Sequence, residues 1–252
     1  MSLILISIIV FYVGFGALLF SMQRNFIYFP TEPVKHGFDE RVFENDNELI
    51  KTILLNKGQD KAILYFGGNA ETGAFTAFDF VDELTSYTIY LINYRGYGGS
   101  SCSPDESALF SDALTLYDSL SKTHDDVFVI GRSLGSGVAT YLAAERLVKK
   151  LVLITPFDSI QSIAQKQFPF YPMSILLKDK YNSVQFTAKI HADTLMLVAE
   201  NDNVVARIHT NNLVEAFVNI PPEVIIIKGA GHNDISQNRD YFQLLSTFFK
   251  SQ

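Results

Sequence analysis

The chain has one cysteine, no tryptophan and no cluster of basic residues, and each shortage removes a class of function. A lone Cys102 excludes an internal disulfide and a cysteine-based zinc site. No paired-cysteine, H-E-x-x-H or EF-hand spacing occurs, so no metal is expected. Lys and Arg number 20 against 27 Asp and Glu, a net charge of −7. Nucleic acid binding needs clustered cations that this chain does not supply. The glycines of Tyr94-Arg95-Gly96-Tyr97-Gly98-Gly99-Ser100 lack a following Lys-Ser/Thr and do not open a helix. They read as a wide turn rather than a phosphate cradle, and no cofactor is expected.

Charge is also missing from residues 3–20, an apolar stretch broken only by Ser7, Tyr12, Gly14 and Gly16. At about 1.5 Å per helical residue it spans roughly 27 Å, enough for a thin hydrocarbon core. No Lys or Arg precedes it and no small-x-small cleavage site follows, which disfavours a signal peptide. Residues 1–22 are therefore expected to form a single-pass membrane anchor and residues 23–36 a juxtamembrane strap. Arg24, Lys35 and Arg41 follow the span, so the positive-inside rule puts the remaining chain on the cytoplasmic side.

From residue 37 to 252 the pattern alternates. Short apolar runs bounded by turn residues fall at 62–66, 88–93, 127–130, 151–155, 194–199 and 224–228, as in strands covered on both faces. Residues 41–43 and 49–55 read as an antiparallel pair. Helix-like spacing occupies 72–84, 105–121, 134–147, 209–218 and 239–249. This alternation implies one α/β domain with a mostly parallel sheet and helices on both faces. Almost 40 residues separate two of the strands, and this insert, about 156–193, is expected to form a short cap over the strand ends.

Between the strand at 127–130 and the helix after it stands Gly131-Arg132-Ser133-Leu134-Gly135. A serine on such a tight corner projects its oxygen away from the sheet. A nucleophilic serine needs a base, and the base needs an acid to hold its tautomer. Of five histidines, only His232 directly follows a strand on a glycine-loosened loop. Among acids, Asp202 follows the 194–199 strand and precedes His232, with Glu200, Asp158 and Asp234 as rivals. Backbone N–H groups of Leu134 and of Asn69, in Gly67-Gly68-Asn69-Ala70, are candidates to hold an oxyanion.

In this order the motifs resemble the α/β-hydrolase superfamily, and within it the membrane-anchored abhydrolase-domain branch of bud-emergence-type proteins. The resemblance runs through Phe26-Ile27-Tyr28-Phe29-Pro30, Gly68-Asn69-Ala70, Tyr94-Arg95-Gly96-Tyr97-Gly98, the Ser133 pentapeptide, Pro169-Phe170-Tyr171-Pro172, Leu177-Lys178-Asp179-Lys180-Tyr181 and Gly231-His232-Asn233-Asp234. It implies the α/β-hydrolase fold and a Ser133–His232–Asp202 triad with oxyanion donors at Asn69 and Leu134. It also implies a serine hydrolase of acyl esters or thioesters, some relatives acting on lipidated membrane proteins. Phe168, Phe170 and Tyr171 are then expected along an acyl groove. One departure stands out: the branch has His-Gly-Asn-Ala-Gly where this chain has Gly67-Gly68-Asn69-Ala70-Glu71, which adds a carboxylate beside the site. A peptidase whose Glu71 meets a substrate amine, and an inactive membrane scaffold, are the rival readings.

Overall fold

Eight strands form one sheet in a computed structural model that describes residues 2–251. The chain begins with helix α1 (Ser2–Ile27), then β1 (Asp39–Asn45), β2 (Glu48–Leu55), β3 (Lys61–Phe66), α2 (Gly73–Phe80), β4 (Thr88–Ile92) and α3 (Glu106–Leu120). There follow β5 (Asp126–Arg132), α4 (Leu134–Glu145), β6 (Lys150–Ile154), the cap helices α5 (Ile160–Gln167) and α6 (Met173–Leu176), and β7 (Asp193–Ala199). The chain ends with α7 (Arg207–Ala216), β8 (Glu223–Ile227) and α8 (Tyr241–Lys250). Strand order is β1-β2-β4-β3-β5-β6-β7-β8. The β1–β2 and β2–β4 pairs are antiparallel and all others parallel.

The sheet's two faces bury separate cores, which explains the continuous apolar runs of its central strands. Leu64, Val129, Leu151 and Met196 face α3 and α4, while Ile63, Phe128, Ile130, Val152 and Leu197 face α2 and α8. Strands fall where the sequence pattern puts them, but β1 runs two residues further at each end than expected, and β5 one residue further at its start and two at its end. Helix α2 is shorter than expected, ending at Phe80, with residues 81–83 in turns. The insert at 156–193 holds α5, α6 and two single-turn 3₁₀ helices. Their short runs lack the several turns that make helical periodicity visible.

Helix α1 runs to Ile27, five residues beyond the expected end of the anchor. The 23–27 segment stays helical because Gln23 and Arg24 find partners on the cap. Gln23 Nε2 donates to the Leu176 carbonyl (3.1 Å) and Gln23 Oε1 accepts from Lys178 N (2.6 Å). Arg24 forks onto the buried Asp179 at 2.9 and 3.3 Å. Phe29 then precedes Pro30, a position that disfavours helix, and the chain leaves as an extended strap. Its Tyr28 hydroxyl bonds Asp179 and Tyr181.

Helix α4 enters against bare backbone. A Cβ placed on Gly135 would lie 2.1 Å from the Phe66 carbonyl oxygen and 2.6 Å from that of Gly67, and one on Gly131 would meet the Gly135 carbonyl oxygen at 2.4 Å. The small residues after Ser133 thus let the helix start directly on the β3 end. Gly135→Ala is expected to lower unfolding free energy by about 3 kcal/mol, the upper end for overpacking. The urea midpoint measures it, and an unchanged midpoint would contradict this packing.

Candidate active site

Ser133 sits at the corner between β5 and α4 with φ of 49° and ψ of −116°. A non-glycine residue there is strained. The turn is held by Ser133 N donating to the Ile154 carbonyl (2.9 Å) and by Ser136 N donating back to the Ser133 carbonyl (2.8 Å). His232 follows β8 on the Gly229–Gly231 loop and is buried, and its Nε2 lies 2.8 Å from Ser133 Oγ. Its Nδ1 lies 2.8 Å from Asp202 Oδ2. An ionised carboxylate only accepts, so Nδ1 carries the proton, and neutral Nε2 is left to accept from the serine hydroxyl. The three residues read from the sequence therefore meet in one hydrogen-bonded chain.

Asp202 is itself fixed. Its Oδ1 accepts the N–H groups of Val204 (2.9 Å) and Val205 (2.7 Å). Burial opposes its ionisation, but the bonds from His232 and these two amides outweigh it and hold its carboxyl below the usual range. The rival acids are engaged elsewhere. Asp158 is buried with His209 Nδ1 at 2.9 Å, Asp234 accepts from Gly231 N, and Glu200 accepts from Gly229 N. Of the remaining histidines, His36 lies against Glu40, His124 lies between Tyr90 and the Gln59 carbonyl, and His191 is exposed.

The β3–α2 loop reaches the serine, since a Cβ on Gly68 would stand 3.6 Å from Ser133 Cβ. Leu134 opens α4, so its N–H has no intrahelical acceptor. Neither that group nor Asn69 N–H has a hydrogen-bond acceptor among the described residues. The Asn69 side chain is bound to the end of α1. Its Nδ2 donates to the Ile27 carbonyl (2.6 Å), and its Oδ1 accepts from Phe29 N (2.8 Å) and from the Tyr97 hydroxyl (2.9 Å).

Glu71 does not face Ser133 as an open charge. Its carboxylate accepts from Gly68 N (2.7 Å), Tyr65 OH (2.8 Å), Thr76 Oγ1 (2.7 Å) and Arg132 Nη1 (3.0 Å). Arg132 Nη2 also donates to the Asn233 carbonyl (3.1 Å) and reaches that of His232 (3.5 Å). Burial works against the Arg132 charge, but Tyr65 and Glu71 more than offset it and raise its pKa. One guanidinium thus joins the Ser133 corner, the Gly67–Glu71 loop and the His232 loop. Sequence reasoning missed this tie, because position 132 is the variable residue of G-x-S-x-G. The donors around Glu71 also leave it no free oxygen for a substrate amine.

The model of the α/β-hydrolase fold family matches residues 61–180. An uncharacterized protein of Mycobacterium tuberculosis is 32% identical over 249 residues, covering 90% of this chain and 86% of its own length. The chain belongs to the α/β-hydrolase family. This α/β-hydrolase is also 26% identical to the human alpha/beta hydrolase domain-containing protein 17B, over 75% of this chain and 66% of that protein. Its fold superposes on a Pyrococcus furiosus esterase with a TM-score of 0.66 at 17% identity, covering 88% of this chain and 97% of the esterase. Family and fold support a hydrolase.

Proposed function

We propose that this α/β-hydrolase is a membrane-anchored serine hydrolase that cleaves acyl esters or thioesters. The observation that carries the proposal is the unbroken Ser133–His232–Asp202 chain, with both links at 2.8 Å. Ser133 Oγ attacks the acyl carbon while its proton passes to His232 Nε2, and Asp202 steadies the imidazolium. The carbonyl oxygen becomes an oxyanion facing the N–H groups of Asn69 and Leu134. The C–O or C–S bond breaks and the leaving group takes the proton from His232. Water then attacks the acyl-enzyme by the same relay, releasing the acid and restoring Ser133.

Two features favour a lipid-like substrate, either a lipid or a lipidated protein. Helix α1 contains a stretch, Leu3–Ile27, long and apolar enough to cross a membrane and only 6% buried over its most hydrophobic window. Between its end and the cap lies a mainly apolar cavity of about 160 Å³, lined by Leu19, Phe26, Ile27, Ile163, Ala164 and Phe168 among others. Its Ile27 wall is the residue whose carbonyl binds Asn69. Of the three aromatics expected along an acyl groove, only Phe168 lines this cavity. Phe170 is 84% exposed and Tyr171 stacks on Tyr12 of α1. The domain is proposed to lie on the cytoplasmic side, and a C-terminal reporter active only outside the cytoplasm would reverse that orientation.

An acyl-chain series of p-nitrophenyl esters and thioesters tests the reading. Turnover is expected to rise from acetyl towards longer chains. Ala164→Phe, which narrows the cavity, is expected to lower kcat/KM on a dodecanoyl ester about tenfold relative to the acetyl ester. Equal loss on both esters would move the acyl site elsewhere, and faster cleavage of aminoacyl-amides than of any ester would replace the ester reading.

A further inference from the structure

The contacts of α1 start surprisingly far up the helix. Residues 3–11 are exposed all round, whereas Gly16, Leu19, Gln23 and Ile27 form a buried stripe that faces the cap. The first contact is at Tyr12. Its ring stacks on Tyr171 at 4.5 Å, its hydroxyl donates to the Phe170 carbonyl (2.7 Å), and the Tyr171 hydroxyl donates to the Tyr12 carbonyl (3.1 Å). Phe15 packs on Phe168 and Tyr171, and a Cβ on Gly16 would stand 3.2 Å from the Tyr171 ring.

This register sets depth. Residues 3–11 rise only about 14 Å at 1.5 Å each, less than half of a hydrocarbon core of about 30 Å. A helix that crosses the core must therefore also immerse residues 12–20, and whatever is bonded to them goes in as well. The cap segment bonded there suits that solvent. Residues 167–177, Gln-Phe-Pro-Phe-Tyr-Pro-Met-Ser-Ile-Leu-Leu, carry no charge and are flanked by Lys166 and Lys178. The Lys178 ammonium sits 4.6 Å over the Phe20 ring, placed to snorkel towards an interface. Phe170 is 84% exposed and Ile175 77% exposed, which leaves two large apolar side chains on the surface beside the helix. Backbone polar groups of this segment are met within the protein: Gln165 Oε1 accepts from Met173 N (3.1 Å) and Gln23 Nε2 donates to the Leu176 carbonyl (3.1 Å).

We infer that the cap loop and α6, residues 167–177, insert into the lipid bilayer alongside α1 and form with it a single membrane-embedded surface. The partner is the acyl-chain region of the bilayer, and Phe170 and Ile175 are its main contacts. The inference rests on the proposal that α1 is membrane-inserted. It adds that the cavity between α1 and the cap opens within the hydrocarbon, so an acyl chain reaches it sideways without crossing water.

The absence of tryptophan makes the test direct. Phe170→Trp, Ile175→Trp, Leu5→Trp and Leu147→Trp are prepared one at a time in the full chain and reconstituted into phosphatidylcholine vesicles with acyl-brominated lipid. Leu147 follows the C-terminal end of α4, the end away from Ser133, and is 88% exposed, so it reports water. Emission of the 170 and 175 reporters is expected at short wavelength, with most of it lost to brominated lipid, as at position 5, while the 147 reporter keeps its emission. Quenching at position 5 with neither cap reporter quenched would overturn the embedded cap and leave the anchor standing. No quenching at any position would overturn the anchor, and the inference with it. Because both cap side chains are exposed, tryptophan at either position is tolerated by the fold.

Discussion

Ser133→Ala is expected to lower kcat on a p-nitrophenyl ester by roughly 10⁴–10⁶-fold and to abolish labelling by a fluorophosphonate probe, in line with other triads. Removing the hydroxyl leaves His232 Nε2 with nothing to deprotonate but water. The rest of the site stays built: the Ser133 turn is held by backbone bonds to Ile154 and Ser136 that alanine keeps. KM should therefore change far less than kcat. The positive φ of 49° is slightly harder for either residue than for glycine, and the substitution is not expected to unfold the chain. A loss below tenfold, or probe label on another residue, would remove Ser133 from the nucleophile's place. A folded wild-type protein that takes no label would support the scaffold reading.

Asp202→Asn is expected to cost about 10⁴-fold in kcat, the size seen when a triad acid is replaced by its amide. The reason lies in the other oxygen. Oδ1 accepts two backbone N–H groups, from Val204 and Val205, so the amide oxygen of asparagine is drawn to that side. Its NH₂ then points at His232 Nδ1 as a donor. The imidazole must answer with a bare Nδ1 and a protonated Nε2, the tautomer that cannot accept from Ser133. Geometry is preserved while the proton sits on the wrong nitrogen. Asp158→Asn serves as the contrast, because that carboxylate is committed to His209 and should leave kcat nearly intact. Equal losses in the two variants would undo the assignment of Asp202. The depressed pKa of Asp202 has a stability consequence of definite sign. Its contribution is present above the ordinary carboxylate pKa of about 4 and is lost as pH falls through the lower folded value.

The sheet was legible because its central strands are covered on both faces, so runs such as Ala62-Ile63-Leu64-Tyr65-Phe66 carry no polar interruption. The expectation of an α/β-hydrolase fold holds for the same reason, helped by motifs that each follow a strand end. Ser133 and His232 could be picked out by position alone. Choosing Asp202 among four acids needed loop placement, and the pairing of Asp158 with His209 had no signature in spacing. The cap was legible as an insert but not as elements, since α6 has a single turn. The buried stripe of α1 was hidden too. In a helix that is apolar all round, the face turned to protein looks the same as the face turned away.

The tie from Arg132 to Glu71 makes three positions interdependent. A Cβ on residue 67 would stand 3.2 to 3.5 Å from the Glu71 carboxylate, so that carboxylate fills the room a side chain at 67 would need. The glycine at 67 and the glutamate at 71 are thus coupled, since the carboxylate occupies the space a larger residue at 67 would need. Restoring histidine at 67 alone would crowd Glu71 off its guanidinium and leave a buried cation uncompensated. Anyone grafting the relatives' loop onto this scaffold would have to transplant 67, 71 and the partner at 132 together.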